Sequence, residues 1–297
     1  MLASDLLVRR QRRKEQLRNI TKVPLYGLDD IYGLNLGDGD LVVIFGQPKA
    51  GKTTVALNWV WRIAKSGYPV TVVSTESVMT AERYALNILA LEVTDILYTQ
   101  EYFGDSVNAD ILDKILLSDN PSIFCKDRNK SHVWAAVEQA LAIFGNYNID
   151  IYGSALEDGG MVNAENLFNL MRKVPVPSVF VLDQINQVSL LNDLDPAPSA
   201  IKIMKGLAQI IKERKIATIV VSQVSTGSSR DGKDAPLGGN LIVAEANLGV
   251  KPLRDNDVLT LVSPPLYSRS TPPFSISYNI DPLSGYMLSY SILNKKE

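Results

Sequence analysis

Nine consecutive residues have the composition of a loop that binds a triphosphate. They are Gly46, Gln47, Pro48, Lys49, Ala50, Gly51, Lys52, Thr53 and Thr54, and they fit the pattern G-x-x-x-x-G-K-[ST]. Glycines let the backbone come close enough for successive N–H groups to point at the phosphates. In such a loop the lysine reaches the β- and γ-phosphates, and the hydroxyl that follows it ligates magnesium. The pattern therefore predicts a site for ATP and Mg²⁺, with Lys52 and Thr53 in these two roles.

An apolar run that ends in an aspartate supplies a second group for the metal. Val179–Leu182 is wholly apolar and Asp183 follows it, as expected of a Walker B residue near magnesium. An aspartate that only caps a turn is the alternative. Gln223 follows a later run, Thr218–Ser222, and its amide could sense the γ-phosphate unless it is simply a solvated strand end.

Hydrolysis also requires a group that orients and polarises the attacking water, and a carboxylate is suited to this task. Glu76 follows Val70–Val73, the first apolar run after the predicted phosphate loop. The alternative is that Glu76 only begins the next helix, where Thr80 and Glu82 could also serve. Position alone leaves both interpretations open.

Short apolar runs rich in β-branched residues place these groups at one edge of a sheet. The runs are Leu41–Phe45, Val70–Val73, Val179–Leu182 and Thr218–Val221. The predicted helices are Lys52–Lys65, Thr80–Leu91, Val133–Ile143, Ala164–Arg172 and Ser199–Arg214. This alternation predicts an α/β fold with a mainly parallel central sheet flanked by helices, and ligands of such sheets lie beyond the carboxyl ends of the strands. Late, antiparallel strands are predicted at Val258–Val262, Phe274–Asn279 and Tyr286–Ile292.

Composition excludes several other classes of protein. The 297 residues are 46% hydrophobic and 21% charged, which is typical of a globular protein, and the net charge of −2 gives no overall attraction for nucleic acid. One cysteine, Cys125, and one histidine, His132, exclude an internal disulfide and a cysteine- or histidine-rich metal site. No apolar run approaches the roughly 18 to 20 residues that span a bilayer, and the start lacks a secretory signal. We expect a cytoplasmic protein without a membrane partner.

The first 22 residues form a separate basic segment. Its cations are Arg9, Arg10, Arg12, Arg13, Lys14 and Arg18. We expect residues 1–22 to be a helical arm that docks on a neighbouring subunit or touches phosphates, with a solvated arm as the alternative. Residues 23–297 are predicted to be one ATPase domain.

Several segments resemble the RecA-like core of replicative hexameric helicases of the DnaB family. They are Leu25–Asn58, Ser74–Ser77 with Thr80–Arg83, Asp183–Val188 and Val221–Val224, and their order and spacing agree with the family. The resemblance extends from about Val23 to the end of the chain and implies a RecA-like P-loop NTPase fold. It also implies that Glu76 is the catalytic base, Asp183 the magnesium partner and Gln223 the coupling residue.

The resemblance further implies that Arg269 is an arginine finger for the adjacent subunit's nucleotide. The family usually has a lysine two positions earlier, where this chain has Tyr267, and Arg254 is the alternative finger. We expect the family's usual N-terminal domain to be lacking, with the basic arm in place of its linker helix.

Few basic residues accompany the loops that the resemblance places at a central channel. Ser189–Ser199 and Ser225–Asn240 contain Arg230 and Lys233, and Lys202 and Lys205 lie nearby. Contacts with single-stranded DNA would depend on these residues and on backbone N–H groups.

Taken with the motifs, the resemblance implies an ATP hydrolase that acts as a DNA helicase of the DnaB type. It would form a homo-oligomer, a hexameric ring, and move along single-stranded DNA during replication in a phage or plasmid system. A loader or a primase would be a further partner. Two alternatives stay open: a RecA-like recombinase filament on single-stranded DNA, and a nucleotide-dependent switch or assembly ATPase that acts on a protein.

Overall fold

The computed structural model describes residues 22–118, 131–153, 162–188, 196–224, 242, 244–263 and 273–292. Some sequence predictions lie outside these ranges. They concern the arm apart from Lys22, Cys125, most of the two channel loops with Arg230 and Lys233, and the region of Tyr267 and Arg269.

Strands and helices alternate through most of the described chain. The strands are β1 (Val23–Pro24), β2 (Asn35–Leu36), β3 (Leu41–Gly46), β4 (Val70–Ser74), β5 (Ile149–Tyr152), β6 (Val179–Asp183), β7 (Ala217–Gln223), β8 (Leu248–Asp255), β9 (Val258–Ser263), β10 (Phe274–Ile280) and β11 (Met287–Ile292). The helices are α1 (Leu28–Tyr32), α2 (Lys52–Lys65), α3 (Ala81–Thr99), α4 (Ala109–Leu116), α5 (Ser131–Phe144), α6 (Ala164–Lys173) and α7 (Pro196–Arg214). A short 3₁₀ turn, Ile185–Gln187, follows β6.

One mixed sheet organises the described residues, with strand order β11-β10-β9-β8-β3-β7-β6-β4-β5. The pairs from β8 through β3, β7, β6 and β4 to β5 are parallel. The pairs from β8 to β11 are antiparallel. The predicted parallel sheet with late antiparallel strands is confirmed.

Apolar side chains of the central strands enter two cores, one on each face of the sheet. Val42 and Ile44 of β3 belong to a core that includes Trp59 of α2, whereas Val43 and Phe45 belong to one that includes Leu207 of α7. Because both faces are covered, these strands appear in the sequence as continuous apolar runs.

The structure differs from the sequence prediction mainly between β4 and β6. Helix α3 continues to Thr99, because the buried residues Val93, Ile96 and Leu97 carry its apolar face into a third core shared with α4 and α5. Neither α4 nor β5 was predicted. Within the described residues, no helix combines the length and the apolar character needed to cross a bilayer.

Asn58 ties α2 to the last hairpin of the sheet. Its fully buried side chain donates from Nδ2 to the carbonyl oxygens of Thr54 (2.9 Å) and Gly285 (3.0 Å), and Oδ1 accepts from the Met287 N–H (3.0 Å). Helix α2 therefore has a fixed position relative to the β10–β11 turn.

Candidate functional site

The loop between β3 and α2 is shaped to hold an anion. Gly51 has φ 91°, and a Cβ at this position would lie 2.7 Å from Leu259 Cδ1, so the close packing with β9 requires a glycine. Lys52 begins α2, and no acidic residue occupies the first turn of this helix. The free N–H groups and the positive end of the helix dipole therefore favour a phosphate here.

Lys52 is held at the mouth of this loop. Its side chain is 5% exposed, and Nζ donates to the Gln47 carbonyl oxygen at 2.8 Å. Burial lowers the pKa of Lys52, while the charges of Asp183 and Glu76 raise it. The loop cation thus lies close to two carboxylates contributed by other strands.

Strand pairing brings the predicted site residues to one edge of the sheet. Gly46 is opposite Gln223 in the β3–β7 pair, and Ser74 is opposite Asp183 in the β4–β6 pair. A cavity of about 540 Å³ opens at this edge. Its lining is formed by Pro48, Lys49, Gly51, Lys52, Thr53, Thr54, Glu76, Gln184, Gln223 and Arg254.

Asp183 carries a buried carboxylate that is not neutralised by hydrogen bonds. It is 2% exposed, and neither carboxylate oxygen makes a hydrogen bond to another described residue. Burial and the charge of Glu76 raise the pKa of Asp183 to about 7, although the nearby Thr53 hydroxyl and Lys52 lower it. Such a group is a ready ligand for a cation.

These donors fit magnesium. Among the described residues, no group of three or more His, Cys, Asp and Glu side chains could hold a metal, so the protein ligands would be Thr53 and Asp183. Mg²⁺ is commonly bound by one or two carboxylates together with the phosphates of a nucleotide, and the free Asp183 oxygens suit that arrangement.

Glu76 lies between β4 and α3 and is not part of the helix. Helix α3 begins at Ala81, and Thr80 caps it by accepting a hydrogen bond from the Arg83 N–H (3.1 Å). The alternative that Glu76 begins this helix is therefore wrong. Neither Thr80 nor Glu82 is among the residues that line the cavity, whereas Glu76 is.

Gln223 is fixed through its backbone. Its N–H donates to Asn186 Oδ1 at 2.7 Å, which joins the end of β7 to the 3₁₀ turn after Asp183. Its side chain lines the cavity beside the phosphate loop.

The cationic candidates fall in different places. Arg254 on β8 lines the cavity of its own chain, with Nε donating to the Asn256 carbonyl oxygen (3.2 Å). Lys202 and Lys205 lie on α7, where their role in binding DNA stays a prediction.

Sequence reasoning missed Gln184 as a site residue. Its amide lines the cavity and donates a hydrogen bond to Glu76 Oε1. The signal was its position directly after Asp183 at the end of a buried strand, where any polar side chain would face the same edge.

Comparison of the sequence with family profiles gives a partial match. Residues 40–87 are similar to a family described as chromatin associated protein KTI12. This stretch comprises β3, the phosphate loop, α2, β4 and the start of α3, and it is less than half of the chain. The comparison with curated proteins gave no match.

Solved structures match almost the whole chain. The ATPase domain of a phage DnaB-like helicase aligns with a TM-score of 0.72 and 18% identity, over 97% of this chain and 98% of that one. The RadB recombinase aligns with a TM-score of 0.51 and 18% identity, over 87% of this chain and 95% of that one.

The chain has a RecA-like ATPase fold.

A DnaB-like replicative helicase, whose structure was described with its interactions with primase, shares this RecA-like fold. It aligns with a TM-score of 0.72 and 18% identity over 97% of the present chain. The present chain spans 66% of the length of that helicase.

Proposed function

We propose that this RecA-like chain hydrolyses ATP with Mg²⁺ at the cavity between β3, β4, β6 and β7. The observation that carries the proposal is the convergence of Lys52, Asp183 and Glu76 at one strand edge, beside a loop built to hold phosphates. Each of these residues comes from a different segment, and a purely structural explanation would not require all three charges in one place.

In this proposal each side chain has a separate task. The loop N–H groups and Lys52 bind the β- and γ-phosphates, and Thr53 and Asp183 hold the cation, which neutralises charge on the phosphates. Glu76 orients the attacking water and accepts its proton at a carboxylate oxygen. Gln223 senses the γ-phosphate through its amide and links it to the turn that contains Asn186.

Two substitutions separate binding from chemistry. Lys52→Ala removes the phosphate-binding cation and should weaken the binding of a fluorescent ATP analogue together with turnover. Glu76→Gln keeps the shape of the side chain and should leave the dissociation constant within about threefold while lowering phosphate release by about 10² to 10⁴-fold. Wild-type turnover by Glu76→Gln would refute the assigned role.

We further propose that the hydrolase is a DNA helicase of the DnaB type, a cytoplasmic hexameric ring that moves along single-stranded DNA. The order of the sequence motifs and the structural similarity to a DnaB-like replicative helicase support this proposal. A forked substrate should be unwound with ATP, and single strands should stimulate an ATPase that is sensitive to salt. An ATPase indifferent to DNA at low salt would favour the alternative of a switch that acts on a protein.

The proposed ring places Arg269 at the nucleotide of the adjacent subunit. Arg269→Ala should then lower turnover of the assembled protein, and subunits with an intact Arg269 but an inactive Glu76→Gln site should partly restore it. A loss that mixing cannot restore would argue against action in trans.

A recombinase filament is the second candidate, and the structural similarity to RadB favours it specifically. Electron microscopy with single-stranded DNA and a non-hydrolysable nucleotide distinguishes the two assemblies. Closed rings support the helicase, whereas helical filaments with strand-exchange activity support the recombinase. By analogy with the helicase that interacts with primase, a primase is the first protein partner to test in a binding assay.

A further inference from the structure

Gln184 is a buried amide in direct contact with the proposed catalytic base. It is 3% exposed, lines the cavity and donates from Nε2 to Glu76 Oε1. Its Oε1 is buried and makes no hydrogen bond to a described residue. A buried unpaired acceptor is unfavourable by about 1 to 3 kcal/mol, so its retention at a cavity requires an explanation.

Thr75 fixes the backbone on both sides of this contact. The Gln184 N–H donates to Thr75 Oγ1 (2.8 Å), the same hydroxyl donates to the Gln184 carbonyl oxygen (2.5 Å), and the Thr75 N–H donates to the Asp183 carbonyl oxygen (2.7 Å). Thr75 is only 7% exposed, so water competes little for these bonds. Glu76 and Gln184 therefore face each other from two segments with a fixed separation.

The contact restricts the carboxylate of Glu76. A glutamate beside a cavity of this size has several staggered rotamers, and only some of them point an oxygen at a water in line with a phosphate. A donor on Oε1 selects one orientation and leaves Oε2 as the acceptor for the water hydrogen. Within the part of the chain that the structure describes, no other side chain donates to Glu76.

We propose that Gln184 is a positioning residue for hydrolysis, which holds Glu76 in the orientation that activates water. This inference rests on the hydrolase function proposed above. Gln184 acts through Glu76, so its loss should change the chemical step more than nucleotide binding.

The principal variant is Gln184→Met, which keeps the length of the side chain and removes the amide. We expect kcat to fall by about 10 to 100-fold, because a small misplacement of a catalytic group has an effect of that order. The dissociation constant for Mg–ATP should change by less than about threefold. In the Glu76→Gln background the same substitution should cause no further loss, because the group that it positions is already inactive.

Gln184→Glu gives a second, nearly isosteric test. Two facing carboxylates repel each other and share a proton at lower pH, when the protonated partner can donate to Glu76 as the amide does. We expect kcat of this variant to fall as pH rises through neutrality, relative to the wild type measured at each pH. A residue that only supports the fold would not produce this change in the pH profile.

Gln209→Met is the matched control. Gln209 is exposed on α7, and its Nε2 donates to Glu213 Oε1 at 2.7 Å, so it forms the same kind of pair away from the cavity. This control should keep wild-type kcat. Circular dichroism and urea unfolding establish which Gln184 variants are folded, and the folded ones decide the question.

The outcomes separate this inference from the function on which it rests. If the wild type hydrolyses no nucleotide, the proposed function fails. If the wild type is active, Glu76→Gln is inactive and folded Gln184 variants keep kcat within twofold, the positioning role is overturned. A rise in kcat overturns it too, because the pair would then restrain Glu76 instead of orienting it.

Discussion

Two buried carboxylates, those of Glu92 and Asp183, have surroundings that differ in one respect. Glu92 on α3 is fully buried and accepts hydrogen bonds from Trp61 Nε1 (2.6 Å), Tyr147 OH (2.5 Å) and Lys65 Nζ (3.0 Å). Asp183 is almost as deeply buried, yet neither of its oxygens makes a hydrogen bond to a described residue. Both therefore meet a similar desolvation penalty, but only Glu92 has it compensated within the fold.

This difference distinguishes a structural acid from a functional one. Three donors satisfy Glu92, so its region joins α2, α3 and Tyr147 without any group from outside. Asp183 would be satisfied by a ligand, and its raised pKa records the lack of internal partners. An acid whose partners the fold does not supply indicates a site more clearly than burial alone.

The largest expected effect concerns hydrolysis at the unsatisfied acid. Asp183→Asn should lower kcat by about 10³-fold, because a neutral amide holds the cation poorly at the phosphates. The measurement is steady-state phosphate release under saturating Mg–ATP. A variant with more than a tenth of wild-type kcat would remove Asp183 from the site and with it the basis of the comparison.

The next effect is the pH dependence of stability. A pKa raised from the ordinary value of 3.8 to about 7 means that the folded state binds the proton more tightly than the unfolded chain does. Stability is therefore highest below about pH 4 for this group and is lost as pH rises to about 7, by about 4 kcal/mol. Urea unfolding without nucleotide at pH 5 and pH 8 should show a smaller loss for Asp183→Asn than for the wild type.

The difference between the two proteins isolates Asp183 from other acids. Burial raises the pKa of Asp40 as well, but Asp40 is present in both proteins and contributes equally to each. Identical pH dependence in the wild type and in Asp183→Asn would contradict the raised pKa.

A third prediction addresses the satisfied acid. Glu92→Met should destabilise the protein by about 3 kcal/mol, because it leaves the Trp61 and Tyr147 donors buried without a partner. At temperatures where the variant is folded, kcat should stay within about threefold of the wild type. A large loss of kcat with an unchanged unfolding midpoint would mean that Glu92 belongs to the site.

The smallest effect divides the Glu92 cluster itself. Tyr147→Phe removes one donor and keeps the ring, so it should lower the free energy of unfolding by about 1 kcal/mol. Burial, together with the Glu92 carboxylate, raises the pKa of Tyr147, so the hydroxyl is a neutral donor throughout the physiological range. Unfolding followed by urea titration checks this value, and kcat should not change.

The sequence was sufficient for the elements that carry the cavity. The runs at Leu41–Phe45 and Val179–Leu182 match β3 and β6 to within one residue, because strands buried on both faces have no polar interruptions. The glycine and lysine pattern of the phosphate loop is equally local. Residues adjacent in sequence build this loop, so the pattern can be recognised without knowledge of the fold.

Long-range contacts account for what the sequence did not predict. Gln184 is important because β4 and β6 are neighbours in the sheet, which brings it to Glu76 across 108 residues. The sequence offers Arg254 as an alternative finger for a neighbouring subunit, whereas the pairing of β8 with β3 brings it to the cavity of its own chain. Strand β5 was missed because its exposure on the sheet edge gives it only partly apolar residues.

Asn58 has a practical consequence for experiments that locate the nucleotide site by truncation. Its hydrogen bonds join the first turns of α2 to Gly285 and Met287, which are more than 220 residues away in sequence. Shortening the chain from its C-terminal end would remove this support and weaken nucleotide binding, although none of the described residues beyond Arg254 lines the cavity. Deletion mapping would then assign the activity to the wrong end of the protein, and point substitutions are the sounder guide.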